Sequence, residues 1–147
     1  MLRVYEFEIF EDEGLFLALP YDFDGGTQGG SFAEACEMAA SWLQCECEER
    51  NMHDKPLPEP SFGNEPKNGG KTVIVAVSAG KDTVRKVRAA QAAEMLGVTR
   101  GRVSQMISTG QLESFRERGT VWVTEDSIEA RLAEQPKAGR PRKSVMA

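Results

Sequence analysis

Histidine occurs once and cysteine three times in 147 residues, which leaves little for nucleophilic or metal chemistry. His53 sits in a polar stretch, so no Ser–His or Cys–His nucleophilic pair is evident. Cys45-Glu46-Cys47 lies eight residues before it. On a helix, residues two apart point about 200° away from each other, so Cys45 and Cys47 do not readily share one ion. Cys36 is expected in the core instead. An odd number of cysteines fits reduced thiols better than a disulfide framework. No apolar run approaches the ~20 residues that a membrane-spanning helix needs. Met1-Leu2-Arg3-Val4-Tyr5-Glu6 has no signal-peptide core or cleavage site. A cytoplasmic chain is expected, with no catalytic residues, metal site, cofactor or membrane partner.

Basic residues are also scarce, but only in the first half. Residues 1–66 hold fifteen acids and three bases (Arg3, Arg50 and Lys55), a net −12, whereas residues 67–147 hold fifteen bases and eight acids, a net +7. The chain average of −5 hides this split. A basic second half suits nucleic acid, and an acidic first half suits a basic partner.

What is present reads first as a small sheet with one helix. Residues 2–10 alternate, with Tyr5, Phe7 and Ile9 facing a core and Glu6 and Glu8 on the solvent side. Glu11-Asp12-Glu13-Gly14 predicts a turn into a second strand, Leu15–Leu19, which Pro20 ends, and a third short strand is placed near Thr27-Gln28. Ser31 and Glu34 form a capping box that opens a helix with Phe32, Cys36, Ala39, Trp42 and Leu43 as its apolar stripe. That helix is expected to fray at Glu48-Glu49-Arg50-Asn51. Pro56, Pro58 and Pro60 forbid helix, residues 64–70 read as a loop, and Thr72–Val77 is an apolar run of the kind found in a central, two-sided strand. The domain boundary is expected within Ser78–Asp82.

The second half carries a more specific pattern. Ala89–Leu96 is a short helix, and Gly97 stands where a left-handed C-cap is needed. Thr99 caps a second helix from Arg100 to about Ser108, with Val98 and Val103 placed as a hydrophobic staple. Helix, glycine turn and capped helix form a helix-turn-helix. The outward residues Arg100, Arg102, Ser104 and Gln105, with Thr99 at the head of the helix, are the candidate DNA contacts, and they include the side chains that pair best with guanine and adenine in the major groove. Glu113–Val123 reads as a hairpin wing with its turn near Arg118-Gly119, which offers Arg116 and Arg118 to phosphates or the minor groove. Thr124 caps a last helix with Glu125 and Asp126 in its first turn.

Ala92-Ala93-Glu94-Met95-Leu96-Gly97-Val98-Thr99, then Val103, Ile107, Gly110 and Leu112, then Val121-Trp122-Val123-Thr124, resembles the excisionase and MerR-like winged helix-turn-helix family over about fifty residues. The resemblance implies DNA binding by residues 84–133 and transcriptional repression. In residues 134–147, Gly139-Arg140-Pro141-Arg142-Lys143 is similar to an AT-hook core. It is expected to be disordered when free and to place Arg140, Arg142 and Lys143 in an A·T minor groove. An ordinary basic tail would give only non-specific phosphate affinity.

In residues 1–80, Gly14–Pro20, Gly26-Thr27-Gln28-Gly29, Ser31–Ala35, Trp42-Leu43 and Pro58-Glu59-Pro60-Ser61 come in the order typical of HicB-type antitoxins. That family has a partial RNase H-like domain followed by a DNA-binding domain. The chain departs where the family often has Pro-Gly-Cys and Asp24-Gly25-Gly26 stands here. The DNA-binding module also differs from those HicB-type proteins more often carry. The resemblance implies a HicA-type toxin, a small basic ribonuclease, as partner, met by Glu6, Glu8, Glu11, Asp12, Asp22 and Asp24. A solvated acidic face is the plain alternative. RNase H chemistry needs carboxylates converging on metal ions. Glu6, Glu8, Asp22 and Asp24 offer such a set only if they are brought together, and no enzyme is expected.

The expected architecture is therefore α+β: a small sheet with one packed helix, a winged helix-turn-helix domain, and a basic tail. One reading unit spans few base pairs, so a homodimer or higher oligomer on operator DNA is expected. The competing expectation is an excisionase-like or other repressor whose acidic domain senses a ligand or a different protein.

Overall fold

A computed structural model describes residues 1–138, with side chains to residue 134. The architecture is α+β, and the chain divides between Thr83 and Val84 into two compact units. Among the described residues no helix is long and apolar enough to cross a membrane.

The first unit runs β1 (Leu2–Asp12), β2 (Leu15–Pro20), β3 (Thr27–Gly29), α1 (Phe32–Met52) and β4 (Lys71–Ser78), then a 3₁₀ turn at Lys81–Thr83. Its sheet has the order β3-β2-β1-β4, with every neighbouring pair antiparallel. β1 is longer than its alternation predicted. Glu11 and Asp12 pair with Phe16 and Leu15, which leaves a two-residue turn at Glu13-Gly14 with φ of 53° and 83°, as a tight hairpin requires.

Tyr5, Phe7 and Ile9 enter the core as expected, against Ala18, Phe23, Val75 and the Ala35, Ala39, Leu43 and Cys47 face of α1. Burying a side chain such as Phe7 contributes about 2–3 kcal/mol. Edge-on aromatic contacts link Tyr5 to Phe23 at 4.8 Å, Phe23 to Trp42 at 5.6 Å and Phe7 to Trp42 at 5.9 Å.

The buried face of α1 matches the predicted stripe only in part. Ala39 and Leu43 are buried as predicted, but Ala35 and Cys47 complete the face, Cys36 and Trp42 are only half-buried against it, and Phe32 is exposed. A Cβ added at Gly29 would lie 2.6 Å from the Ala35 nitrogen, so the helix approaches β3 too closely for large residues. Nor does α1 fray at Glu48. It continues to Met52 because Arg50 bonds Glu46 at 2.8 Å and lies over the Phe23 ring, while Asn51 accepts from Arg3 at 3.1 Å.

Two further expectations are corrected. β4 is an edge strand, not a central one, and Ile74 on it is 65% exposed; an apolar run shows which residues favour a strand, not how many neighbours it has. Glu6 and Glu8 do not lie on a solvent face. They are 5% and 2% exposed, because the segment after the prolines covers that side of β1.

Those two carboxylates organise the covering segment. Glu6 accepts the backbone N–H of Gly63 and Asn64, each at 3.0 Å, and the Asn64 side-chain amide at 2.9 Å. Glu8 accepts backbone N–H groups from Lys67, Asn68 and Gly70 at 3.0, 2.7 and 3.1 Å, and the Asn68 amide at 3.0 Å. Amide bonds led by Asn64 hold the Glu6 carboxyl below its ordinary range. For Glu8 burial pushes upward, and the bonds from Lys67, Asn68 and Gly70 outweigh it, so it too is lowered.

The second unit contains β5 (Lys86–Arg88), α2 (Ala89–Leu96), α3 (Arg100–Ser108), β6 (Ser114–Glu117), β7 (Thr120–Thr124) and α4 (Glu125–Ala138). Val87, Ala92, Ala93, Leu96, Val103, Met106, Leu112, Val123 and Ile128 form its core. Gly97 has φ 69° and ψ 34°, and Val98 N–H closes the turn on the Ala93 carbonyl at 3.0 Å. Thr99 accepts from Arg102 N–H at 3.1 Å and Thr124 from Ser127 N–H at 3.3 Å, so both predicted caps form. β5 was not foreseen; it pairs antiparallel with β7 and completes a three-stranded sheet of order β5-β7-β6.

Lowered carboxyls stabilise a fold above their unfolded value and lose that contribution as pH falls through the folded one. Thermal melts are therefore expected to show the first unit intact at pH 7 and weakening once pH drops below the ordinary glutamate value of 4.5. Glu8→Gln turns an NH₂ towards amide donors, which should cost about 2 kcal/mol at pH 7 and flatten the acid dependence. A variant as stable as wild type at pH 7 would mean that other contacts hold residues 67–70.

Candidate nucleic-acid interface

α3 is short, and its nine residues divide cleanly by role. Val103 and Met106 are buried and Ile107 half-buried, whereas Arg100, Gly101, Arg102, Ser104, Gln105 and Ser108 face solvent. At 100° per residue, Arg100 and Arg102 diverge by about 200°, so they border the exposed arc on opposite sides with Gln105 between them. Arg102 donates to the Gln105 amide oxygen at 3.3 Å, which holds the two side chains as a polar pair. Thr99 is occupied as the helix cap.

Arg100, on the other border, lines a cleft with Arg88, Ala89, Ala90, Thr120 and Val121. Arg88 was missed by sequence reasoning. It belongs to β5 opposite Trp122, and its guanidinium carbon lies 5.4 Å from the Trp122 ring centroid. A three-residue strand leaves almost no periodic signal, so only the alternation of Lys86-Val87-Arg88 pointed to it.

β6 and β7 form the predicted hairpin, the candidate wing. Arg116 is exposed and donates to the Gly119 carbonyl at 3.5 Å. Arg118 is exposed at the tip with φ 53°, followed by Gly119 at φ 80°. Hairpin turns of this hand favour Asn or Asp followed by Gly, so an arginine here stores strain of about 1 kcal/mol.

The unit's own acids neutralise some of its bases. Arg85 reaches Glu129 at 2.8 Å, Glu125 at 3.1 Å and Asp126 at 3.3 Å, and the Glu129 and Glu125 bonds raise its pKa. Lys86 meets Glu117 at 3.5 Å. Among the described residues, Arg88, Arg100, Arg102 and Arg118 carry no ion pair. Arg140, Arg142 and Lys143 lie outside the described residues.

The acidic positions of the first unit separate in the same way. Glu11, Asp12 and Asp24 are exposed. Asp22 is half-buried and accepts both the N–H and the hydroxyl of Ser61, at 2.9 and 2.8 Å. Glu6 and Glu8, proposed from sequence as partner contacts, have their oxygens committed to the 63–70 segment and present no anionic surface. For the same reason Glu6, Glu8, Asp22 and Asp24 are not an open carboxylate set for metal ions: three of the four are bonded to their own chain.

Replacing Arg118 tests the wing geometry. Arg118→Asn should raise stability by about 1 kcal/mol and Arg118→Val should lower it, because only Asn tolerates the left-handed tip. Melting temperatures that move together would exclude the turn described here.

No known protein-family model matches this chain, and no curated protein does. A solved structure described as a toxin–antitoxin complex from Streptococcus pneumoniae is similar to it, at 18% sequence identity and a TM-score of 0.48, covering 75% of this chain and 99% of the other.

Proposed function

We propose that this protein is a DNA-binding repressor whose second unit reads an operator through α3, and whose acidic first unit captures a basic protein partner. The exposed Arg102–Gln105 pair on a capped, glycine-turned helix is the observation that supports the DNA reading most directly. Arginine bonds guanine bidentately and glutamine bonds adenine. Ser104 lies on the same arc. Arg100 faces the cleft instead and is better suited to the backbone than to a base. Arg116 and Arg118 reach phosphates or the minor groove from the wing, and the tail residues Arg140, Arg142 and Lys143 add affinity in an A·T minor groove. One unit covers few base pairs, so the protein acts as a homodimer or higher oligomer on a repeated operator.

The partner of the first unit is, on the sequence resemblance, a HicA-type ribonuclease toxin, which makes the protein an antitoxin that represses its own operon. The acids that serve this contact are the exposed ones, Glu11, Asp12 and Asp24. Long-range attraction between opposite charges accelerates encounter and weakens with salt.

Binding of the full chain to duplex DNA from upstream of its reading frame, beside a scrambled duplex, tests the first half. Arg102→Ala should lose about 1–3 kcal/mol of discrimination between the two duplexes. Equal weakening on both would remove its base-reading role. For the second half, a co-expressed HicA-type toxin is expected to co-purify with the full chain, and Glu11→Lys, Asp12→Lys and Asp24→Lys combined should slow its association about tenfold at low salt. Failure to co-purify sinks the antitoxin reading and leaves the DNA reading standing.

A further inference from the structure

The cleft beside the wing is lined by Arg88, Ala89, Ala90, Arg100, Thr120 and Val121 and has a volume of about 430 Å³. Two arginines line it and no carboxylate does. The rest of the lining is small: two alanines, a threonine and a valine. A planar guanidinium offers donors in a fork that matches phosphate geometry, and a small-walled cleft lined by two arginines has the chemistry to take an anion.

Arg88 is held in place for this role. Its guanidinium carbon lies over the Trp122 ring at 5.4 Å from the centroid, and stacking on an indole face limits the rotamers of a long side chain. As the residue before α2 it makes no side-chain cap, and the first turn of α2 contains no acid. The amides of that turn and the two guanidiniums therefore offer hydrogen-bond donors to an incoming anion without competition from a carboxylate lining the cleft. The arrangement differs in α4 of the same unit, whose first turn carries Glu125 and Asp126.

We propose that Arg88 and Arg100 together grip one phosphodiester of the duplex flanking the groove read by α3. This rests on the DNA-binding reading and goes beyond it. It assigns Arg88 a contact and pairs it with Arg100 on a single phosphate. It also makes Trp122 a positioning residue, acting through Arg88. The contact carries no sequence information; it sets register and orientation, which is the usual part of phosphate contacts.

The test is fluorescence anisotropy of the full chain on the upstream and scrambled duplexes at several salt concentrations. Arg88→Ala is expected to weaken binding to both duplexes by the same factor, about tenfold at low salt, and to reduce the salt slope by about 0.9. Arg88→Lys should recover the slope, since it keeps the charge. Ala90→Glu places a carboxylate at an exposed position in the first turn of α2, where it favours the helix while repelling phosphate. Its melting temperature should hold or rise as binding falls on both duplexes. If Arg88→Ala and Ala90→Glu bind like wild type while Arg102→Ala loses discrimination, the cleft proposal is overturned and the DNA reading stands. A loss confined to the upstream duplex would also overturn it, by making Arg88 a base contact. If wild type binds neither duplex, the DNA reading fails and the cleft proposal fails with it.

Discussion

Glu8 accepts four N–H bonds from Lys67, Asn68 and Gly70, and the first unit is arranged around that fact. A carboxylate in the interior is tolerated only when its oxygens are satisfied, so a strand with glutamates at alternate positions must either face water or recruit donors. β1 recruits donors. The segment after the prolines is laid across it, Tyr5 donates to the Pro58 carbonyl at 2.6 Å, and Ser61 closes on Asp22. Gly70 has to be a glycine here, because a Cβ would run into the Ile9 carbonyl while its N–H is bound to Glu8. A stretch with no regular secondary structure is thereby given one conformation by two side chains of a neighbouring strand.

The same constraint explains what the sequence made legible and what it did not. Ser31, Thr99 and Thr124 were readable as caps, and Gly97 as a turn, because each interaction closes within four residues. Ser31 accepts from Glu34 N–H as expected, although Glu34 reaches back to Gly30 rather than to Ser31's own amide. The failures are all non-local. Alternation in β1 shows two faces but not what covers them, so Glu6 and Glu8 read as solvated and then as partner contacts. The run in β4 fits a strand buried on both sides, yet β4 has only β1 beside it. In α1 the stripe gave Ala39 and Leu43 correctly, whereas the close approach at Gly29 sets Ala35 in the core and leaves Phe32 exposed. Arg88 was hidden because its strand is three residues long and is defined by a partner thirty-four positions away.

Charge sorting also divides the second unit. Bases that meet acids, such as Arg85 with its three carboxylates, work within the fold, and exposed ion pairs of this kind add little stability. Arg88, Arg100, Arg102 and Arg118 remain outside such pairs and cluster on α3, the cleft and the wing. A fold that only needed solubility would have no reason to keep an arginine at the left-handed tip of the wing, where asparagine sits without strain. Under the proposed function, the strain at Arg118 is the cost of presenting a cation at the tip of the hairpin.

On the proposed DNA reading, how far α3 specifies a sequence follows from its length. Of nine residues, Val103, Met106 and Ile107 face the core and Arg100 turns to the cleft, which leaves Arg102, Ser104 and Gln105 as the side chains with base-pairing chemistry near the exposed centre. Three side chains distinguish only a few base pairs, each worth about 1–3 kcal/mol. Most of the affinity must then come from backbone contacts, which bind any sequence alike. A repressor built this way gains selectivity by fixing where the three readers stand and by repeating them. Under the proposed function the cleft and wing arginines meet the first requirement and a second copy of the chain the second, and phosphate contacts of that kind set the register in which so short a helix reads.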